Sequence, residues 1–288
     1  ISYKKKGMYE EGSAGTGSIV GAVSFKGTVP PPIMEDLKKG KNFDICSKHP
    51  ETNKDGVRPR VKVAVKDGKL QNAVVFIEKI ATGKPWGDKG GKFHYDWKGC
   101  DIVQKMGAIR RVSQEEKKEL KQWKKDRKKA TKGKSQEEMD ANPFPLWTGL
   151  DGTGAVLTII NLDTGILHNP HGYTKKGASS GTLFNLPLNE GKTLDASKNL
   201  MKFKNKKGKK GDKHFFLQCD NHNWMEADAR IVWNPYYSIT GADGSFKIDG
   251  IPAGKYKVTA WQPYVGATTQ EITVAAGEVK ANFTLAAK

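Results

Sequence analysis

The chain is 288 residues long, with 36% hydrophobic and 28% charged residues and a formal net charge of +18. Seven Trp, eight Tyr and eleven Phe supply enough apolar area to exclude general disorder, and no apolar run approaches the roughly 20 residues that cross a bilayer as a helix. The basic balance points to acidic partners or an anionic surface. Nucleic acid is disfavoured, because Arg is scarce and the lysine runs carry no interleaved aromatic residues.

The length suits two domains. The opening ISYKKKGMYEEG has no initiator Met and no apolar leader, which suits a mature product whose export signal has been removed, in the periplasm or otherwise outside the cytoplasm. Residues 1–16 read as a tail. GSIVGAVSFKG (17–27), RVKVAV (60–65) and NAVVFIEKI (72–80) are short, rich in β-branched and aromatic residues, and bounded by turn formers, the pattern of strands. Between and after them stand Cys46 and Cys100. An exported chain with three cysteines has one thiol with a separate job. Cys46 and Cys100 can pair and leave Cys219 over, or all three can be unrelated buried thiols.

The segment 113–143 breaks the strand pattern. Ser113 and Glu116 have the spacing of a capping box, and Leu120, Trp123 and Ala130 form a thin apolar stripe among charges, which predicts one or two surface helices inserted between strands. Strands resume with AVLTIIN (155–161), HFFLQC (214–219) and ADARIVW (227–233). Ahead of the second lies MKFKNKKGKKGDKHF (201–215), with seven lysines between Lys202 and Lys213, expected as a mobile loop. The last 56 residues, 233–288, alternate tightly around the turns ADG (242–244) and PAG (252–254), and five short strands there are expected to close a small sandwich of their own. This unit carries a net charge of only +1, so +17 lies in residues 1–232.

The stretch CDNHNWM places Cys219, His222 and Met225 at three-residue intervals. A thiolate, imidazole and a weak thioether suit copper, because soft sulfur favours Cu(I) and imidazole serves both oxidation states. One short loop cannot surround an ion, so a further imidazole must come from another strand end. LHNPHGY, after the strand 155–161, offers His168 and His171.

HNPH following a strand with an NLD turn, then a strand ending in C-x-x-H-x-x-M, resembles the cupredoxins, in particular their members with a short, amicyanin-like ligand loop. The resemblance implies His168, Cys219, His222 and Met225 as ligands of one type 1 copper. It also implies that Asn169 ties the two ligand loops together. GAVSFKGTVPPP, DICSKHPE, NAVVFIE, DWKGC and CDNHNWM, in that order, are similar to a group of exported cupredoxin-like, methylamine-utilisation-like proteins. TGADGSFKIDGIPAGKYKVTAW resembles carboxypeptidase-regulatory-like, transthyretin-like modules. The fold so implied is all-β: a Greek-key cupredoxin sandwich over 17–232, with strand 17–27 free to pair with either unit, and a β module over 233–288.

Three strong ligands and one weak one leave no open position for a substrate, so the expected role is single-electron transfer rather than catalysis. The exposed edge of His222 would be the electron route, Trp224 would pack on the loop, and the basic body would steer acidic redox proteins such as cytochromes or oxidoreductase subunits. Self-association is left open. The alternatives are a structural or binding subunit with a non-redox role, or a copper carrier, against which stands a set of six Met with no cluster. His49, His94 and His214 have no ligand context. One cysteine near the site is too few for structural zinc, and the C-x-x-C-H of a c-type haem is absent.

Overall fold

A computed structural model describes residues 9–87, 90–110, 114–142, 156–200 and 213–287, with the side chains of 114–120 and 124 outside the description. The chain is mostly β, arranged as two lobes with separate apolar cores.

The first lobe packs two sheets on one another. Its larger sheet runs in the order Met106–Arg110, Glu226–Val232, His214–Cys219, Pro170–Lys176, Ser179–Asn185; its smaller sheet places Leu157–Asn161 between Thr193–Asp195 and Phe93–Trp97. HFFLQC lies in the middle of the larger sheet with five of its six side chains buried, which is why the run reads as continuously apolar rather than alternating. Tyr95, Trp97, Leu157, Ile159, Phe184, Phe215 and Leu217 meet between the sheets.

The second lobe takes more of the chain than the expected unit 233–288. Gly17–Lys26 pairs with Ser245–Ile251 on one side and, in parallel, with Gly277–Lys280 and Phe283–Ala286 on the other. Val74–Ile77 is likewise inserted between Tyr237–Ile239 and Gly254–Gln262. Strand 17–27, which could pair with either unit, joins the C-terminal one, and Val74–Ile77 joins it too, so that Ile19, Val23, Val75 and Ile77 complete the core around Ile248, Val258 and Phe283.

Other expectations shift locally. RVKVAV is not one strand: Val57–Arg60 pairs with Ile33–Asp36, Val61 is exposed, and the chain resumes pairing only at Val65–Lys66. Between those segments Arg60 and Lys62 both turn onto Glu226. The insertion is two helices, Gln114–Ala130 and Gln136–Ala141. Its described capping box is Ser135 with Glu138; Ser113 lies outside the described residues, as do the side chains of Glu116 and Leu120 and residues 201–212 of the lysine tract. Trp123 packs on the first core, which gives the helix its attachment. Among the described residues no helix is long and apolar enough to cross a membrane.

A small apolar cluster of Met106, Ala108 and Val232 from the first lobe with Val74, Phe76 and Trp261 from the second joins the two. Beside it runs a polar seam in which the Tyr264 hydroxyl donates to Asp228 at 2.9 Å and Arg60 pairs with Glu226 at 2.7 Å. The short helix Phe43–Cys46 lies in the connection between the paired strands Ile33–Asp36 and Val57–Arg60.

Candidate metal centre

His214–Cys219 and Glu226–Val232 are antiparallel neighbours paired as far as Gln218 with Glu226, so residues 219–225 must reverse within a few residues. Backbone bonds close the turn: Cys219 N–H donates to Met225 at 3.1 Å, His222 N–H to Cys219 at 3.3 Å and Met225 N–H to His222 at 2.9 Å. The reversal folds His222 back over the sulfur it follows. His168 arrives from the next strand, where Pro170 pairs with Cys219, and is pinned by a two-way backbone bridge to Leu188. Asn169 joins the two loops by its backbone. Its N–H donates to Cys219 Sγ at 3.4 Å, and its carbonyl accepts from Asp220 N–H at 3.1 Å.

The structure thus brings together three of the expected ligands. His168 Nδ1 and His222 Nδ1 each lie 3.6 Å from Cys219 Sγ, and the ligand atoms of all three residues fall within 4.8 Å of one another. All three residues have 0% exposure. Bonds of about 2.3 Å to sulfur and about 2.0 Å to nitrogen, opened to an angle between tetrahedral and trigonal, span a sulfur–nitrogen separation of about 3.5–3.8 Å. The observed separations fall inside that range.

His168 Nε2 faces Asp163 Oδ2 at 2.9 Å, and His222 Nε2 faces Asn42 Oδ1 at 3.2 Å. An acceptor at each outer nitrogen favours the neutral tautomer protonated there, which would leave an Nδ1 lone pair toward the sulfur. A thiol has one proton and can satisfy only one of those lone pairs. The three inward atoms therefore form a donor-rich hollow that a cation satisfies, and the donor set, one soft sulfur and two imidazoles, fits a soft or borderline transition metal.

Without a cation the hollow adjusts by moving protons. Burial opposes ionisation of Cys219, but hydrogen bonding to His168, to His222 and to the Asn169 amide outweighs it and brings the thiol from its ordinary 9.0 down to about 6. Burial likewise pushes His168 toward the neutral form, and its bonds to Asp163 and Cys219 outweigh that and raise it. Asp163 is held below its usual value despite burial, by His168 and by the amides of Cys100 and Gly99.

Met225 is fully buried in the same core as Cys219 and closes the loop through its backbone. Trp224 packs 5.3 Å from the His222 ring and donates its indole N–H to the Cys100 carbonyl at 3.0 Å. His222 has no exposed edge, contrary to expectation: the turn Lys41–Asn42 and the helix after it fold across the imidazole and take up its Nε2. His171 sits apart, stacked 3.9 Å on Tyr173 and 3.0 Å from Asp220. Cys46 and Cys100 are joined by a disulfide, leaving Cys219 as the free thiol.

Sequence reasoning missed Asp163 and Asn42. Asp163 carried a readable signal, a carboxylate five residues before His168 in the NLD turn. Asn42 carried none, since it reaches the site through a left-handed backbone conformation (φ 57°) at the start of a helix 180 residues away in sequence from His222.

Residues 227–282 match the family model of polysaccharide lyase family 4, domain II. The match covers about a fifth of the chain, spanning the strand Glu226–Val232 and most of the second lobe. It overturns the cupredoxin resemblance, the transthyretin-like reading of 233–288 and the role as a blue-copper electron carrier that rested on them: the matched family is not a cupredoxin, and nothing in the match carries electron transfer. It also removes the ground for setting enzymes aside, since the family takes its name from a lyase. None of the curated proteins matches the chain.

Proposed function

We propose that the chain is an extracytoplasmic β protein that holds one copper ion between His168, Cys219 and His222, with Met225 lining the same loop. The observation that carries this reading is the convergence of two imidazole Nδ1 atoms on the free sulfur of Cys219 in a hollow with no exposure to solvent. The ion would join the loop 219–225, the segment 163–169 behind His168, and, through Asn42, the turn before the helix Phe43–Cys46. Its enclosure favours retention of the ion over chemistry on a substrate. The disulfide suits an oxidising compartment, and the basic first 232 residues favour acidic partners. The second lobe, similar to a domain of polysaccharide lyases, would supply a binding surface for carbohydrate.

A nucleophilic thiol is the competing chemistry, because Asp163, His168 and Cys219 stand in the order of orienting acid, base and nucleophile. Complete burial of the sulfur weighs against it. Titrating Cu(I) into the protein in competition with a chromophoric chelator separates the two. One equivalent withdrawn per chain, and none in Cys219→Ser, supports the metal; failure to compete, together with rapid alkylation of Cys219 by iodoacetamide, supports the nucleophile.

A further inference from the structure

The disulfide is set against the ligand loop. A ring nitrogen of His222 lies within 4.8 Å of the sulfurs of Cys46 and Cys100, and all three residues have 0% exposure. The same imidazole belongs to the set with His168 and Cys219, so His222 stands between two pairs of donors. In the disulfide the two sulfurs are neutral and poor ligands; as thiolates they would be strong ones.

The backbone on both sides of the bridge is held by contacts independent of the sulfur–sulfur bond. The Arg58 guanidinium donates to the carbonyls of Cys46 at 2.6 Å, Cys100 at 2.9 Å and Gly99 at 3.2 Å, and is itself buried. Asp163 accepts from the amides of Cys100 and Gly99, and the Trp224 indole donates to the Cys100 carbonyl. Cys46 N–H is bonded to the carbonyl of Asn42, whose side chain holds His222 Nε2. These bonds keep the sulfurs near one another and near His222 once the bridge is opened.

We propose that reduced Cys46 and Cys100, with His222, form a second site for a thiophilic metal ion, present only in the dithiol state. A phosphine or dithiol reductant supplies two electrons, the solvent supplies two protons, and the disulfide becomes two thiols. The incoming ion displaces both thiol protons to solvent and is held by two thiolates and the imidazole. The bridge then has a function besides cross-linking: while it is closed, His222 serves only the pair His168 and Cys219, and opening it sets a second pair of sulfurs in competition for that imidazole. This inference shares His222 with the proposed copper site and needs neither His168 nor Cys219.

The test uses Cys219→Ser, which disables the first site. The full chain is unfolded in denaturant, refolded with and without tris(2-carboxyethyl)phosphine so that burial does not protect the bridge, and titrated with Cd(II) alone. One Cd(II) per chain with a thiolate-to-metal charge-transfer band in the reduced sample, none in the oxidised sample, and loss of both when Cys46→Ser is added are expected. Equal uptake in the two samples, a band that survives Cys46→Ser, or a reduced chain that fails to regain the oxidised chain's circular dichroism and Trp fluorescence would overturn it. Failure of the disulfide-bonded wild type to bind copper would instead remove the first site and leave this one standing.

Discussion

The two lobes solve the same packing problem with different residues. The second lobe closes its core with Ile19, Val23, Ile77, Ile248, Val258, Phe283 and Leu285, all apolar and all essentially unexposed. The first lobe has comparable apolar packing in its middle, yet at one end it buries Asn161, Asp163, His168 and His222, each 6% exposed or less. Burying polar groups costs stability unless each finds a partner. Those of the first lobe do, through a chain of bonds from Asn161 to Asp163, Asp163 to His168, and His222 to Asn42. At Cys219 two imidazole Nδ1 atoms converge on a single sulfur. Under the proposed reading that cluster is where a cation would sit; among the described residues the second lobe's core holds no comparable group of His and Cys.

Substitutions should separate the lobes accordingly. The largest expected loss is from Phe283→Ala, which empties a fully packed position of the second lobe and should lower unfolding free energy by about 3–5 kcal/mol in denaturant titration, while the folded fraction keeps its metal stoichiometry. A coupled loss of metal from the folded protein would show that the lobes are not separable. Next is the metal itself: at free copper 100-fold above its dissociation constant, the native state should gain about 2.7 kcal/mol, read as a raised melting temperature that a chelator reverses. Cys219→Ser should abolish that gain, and an equal rise in wild type and variant would place the ion elsewhere.

Asp163→Asn tests the support behind the ligands. It should weaken metal binding by about 10- to 100-fold with the stoichiometry unchanged, because His168 loses the carboxylate that fixes its proton outward; unchanged affinity would relegate Asp163 to holding the loop around Cys100.

The last prediction concerns pH. In the metal-free protein the Cys219 thiol should ionise near 6 rather than 9.0, visible as thiolate absorbance. A folded-state pKa depressed below the unfolded value contributes stability that is complete above about pH 9 and is lost as pH falls through about 6. Copper affinity should fall in the same direction, since protons compete for the thiolate. A midpoint near the ordinary value would mean the two imidazoles do not face the sulfur in solution.

The contrast between the lobes also explains what the sequence made readable. Strand character survived the test wherever local alternation or a buried run specified it, as in HFFLQC and GSIVGAVSFKG. Partnership did not, because the parallel pairing of Val23 with Phe283 spans most of the chain and leaves no local mark on either strand. Hence the strands around residue 233 were found from local pattern, while the place of Val74–Ile77 among them was not. At the metal centre His168, Cys219 and His222 were legible from residue type and strand-end position. The cover over His222 was not, because it comes from a loop between two short paired strands, far away in sequence, that is tied to the first lobe by contacts such as those of Arg58. The cupredoxin resemblance rested on that same ligand spacing and on the order of stretches such as GAVSFKGTVPPP, NAVVFIE and DWKGC, and the family match at 227–282 overturns it.

The most direct measurement of the central claim is X-ray absorption at the copper edge of the protein loaded with one equivalent of copper. One sulfur and two imidazole nitrogens in the inner shell, with the sulfur lost in Cys219→Ser, is the predicted result. A shell of nitrogen and oxygen alone, unchanged by that substitution, would contradict it.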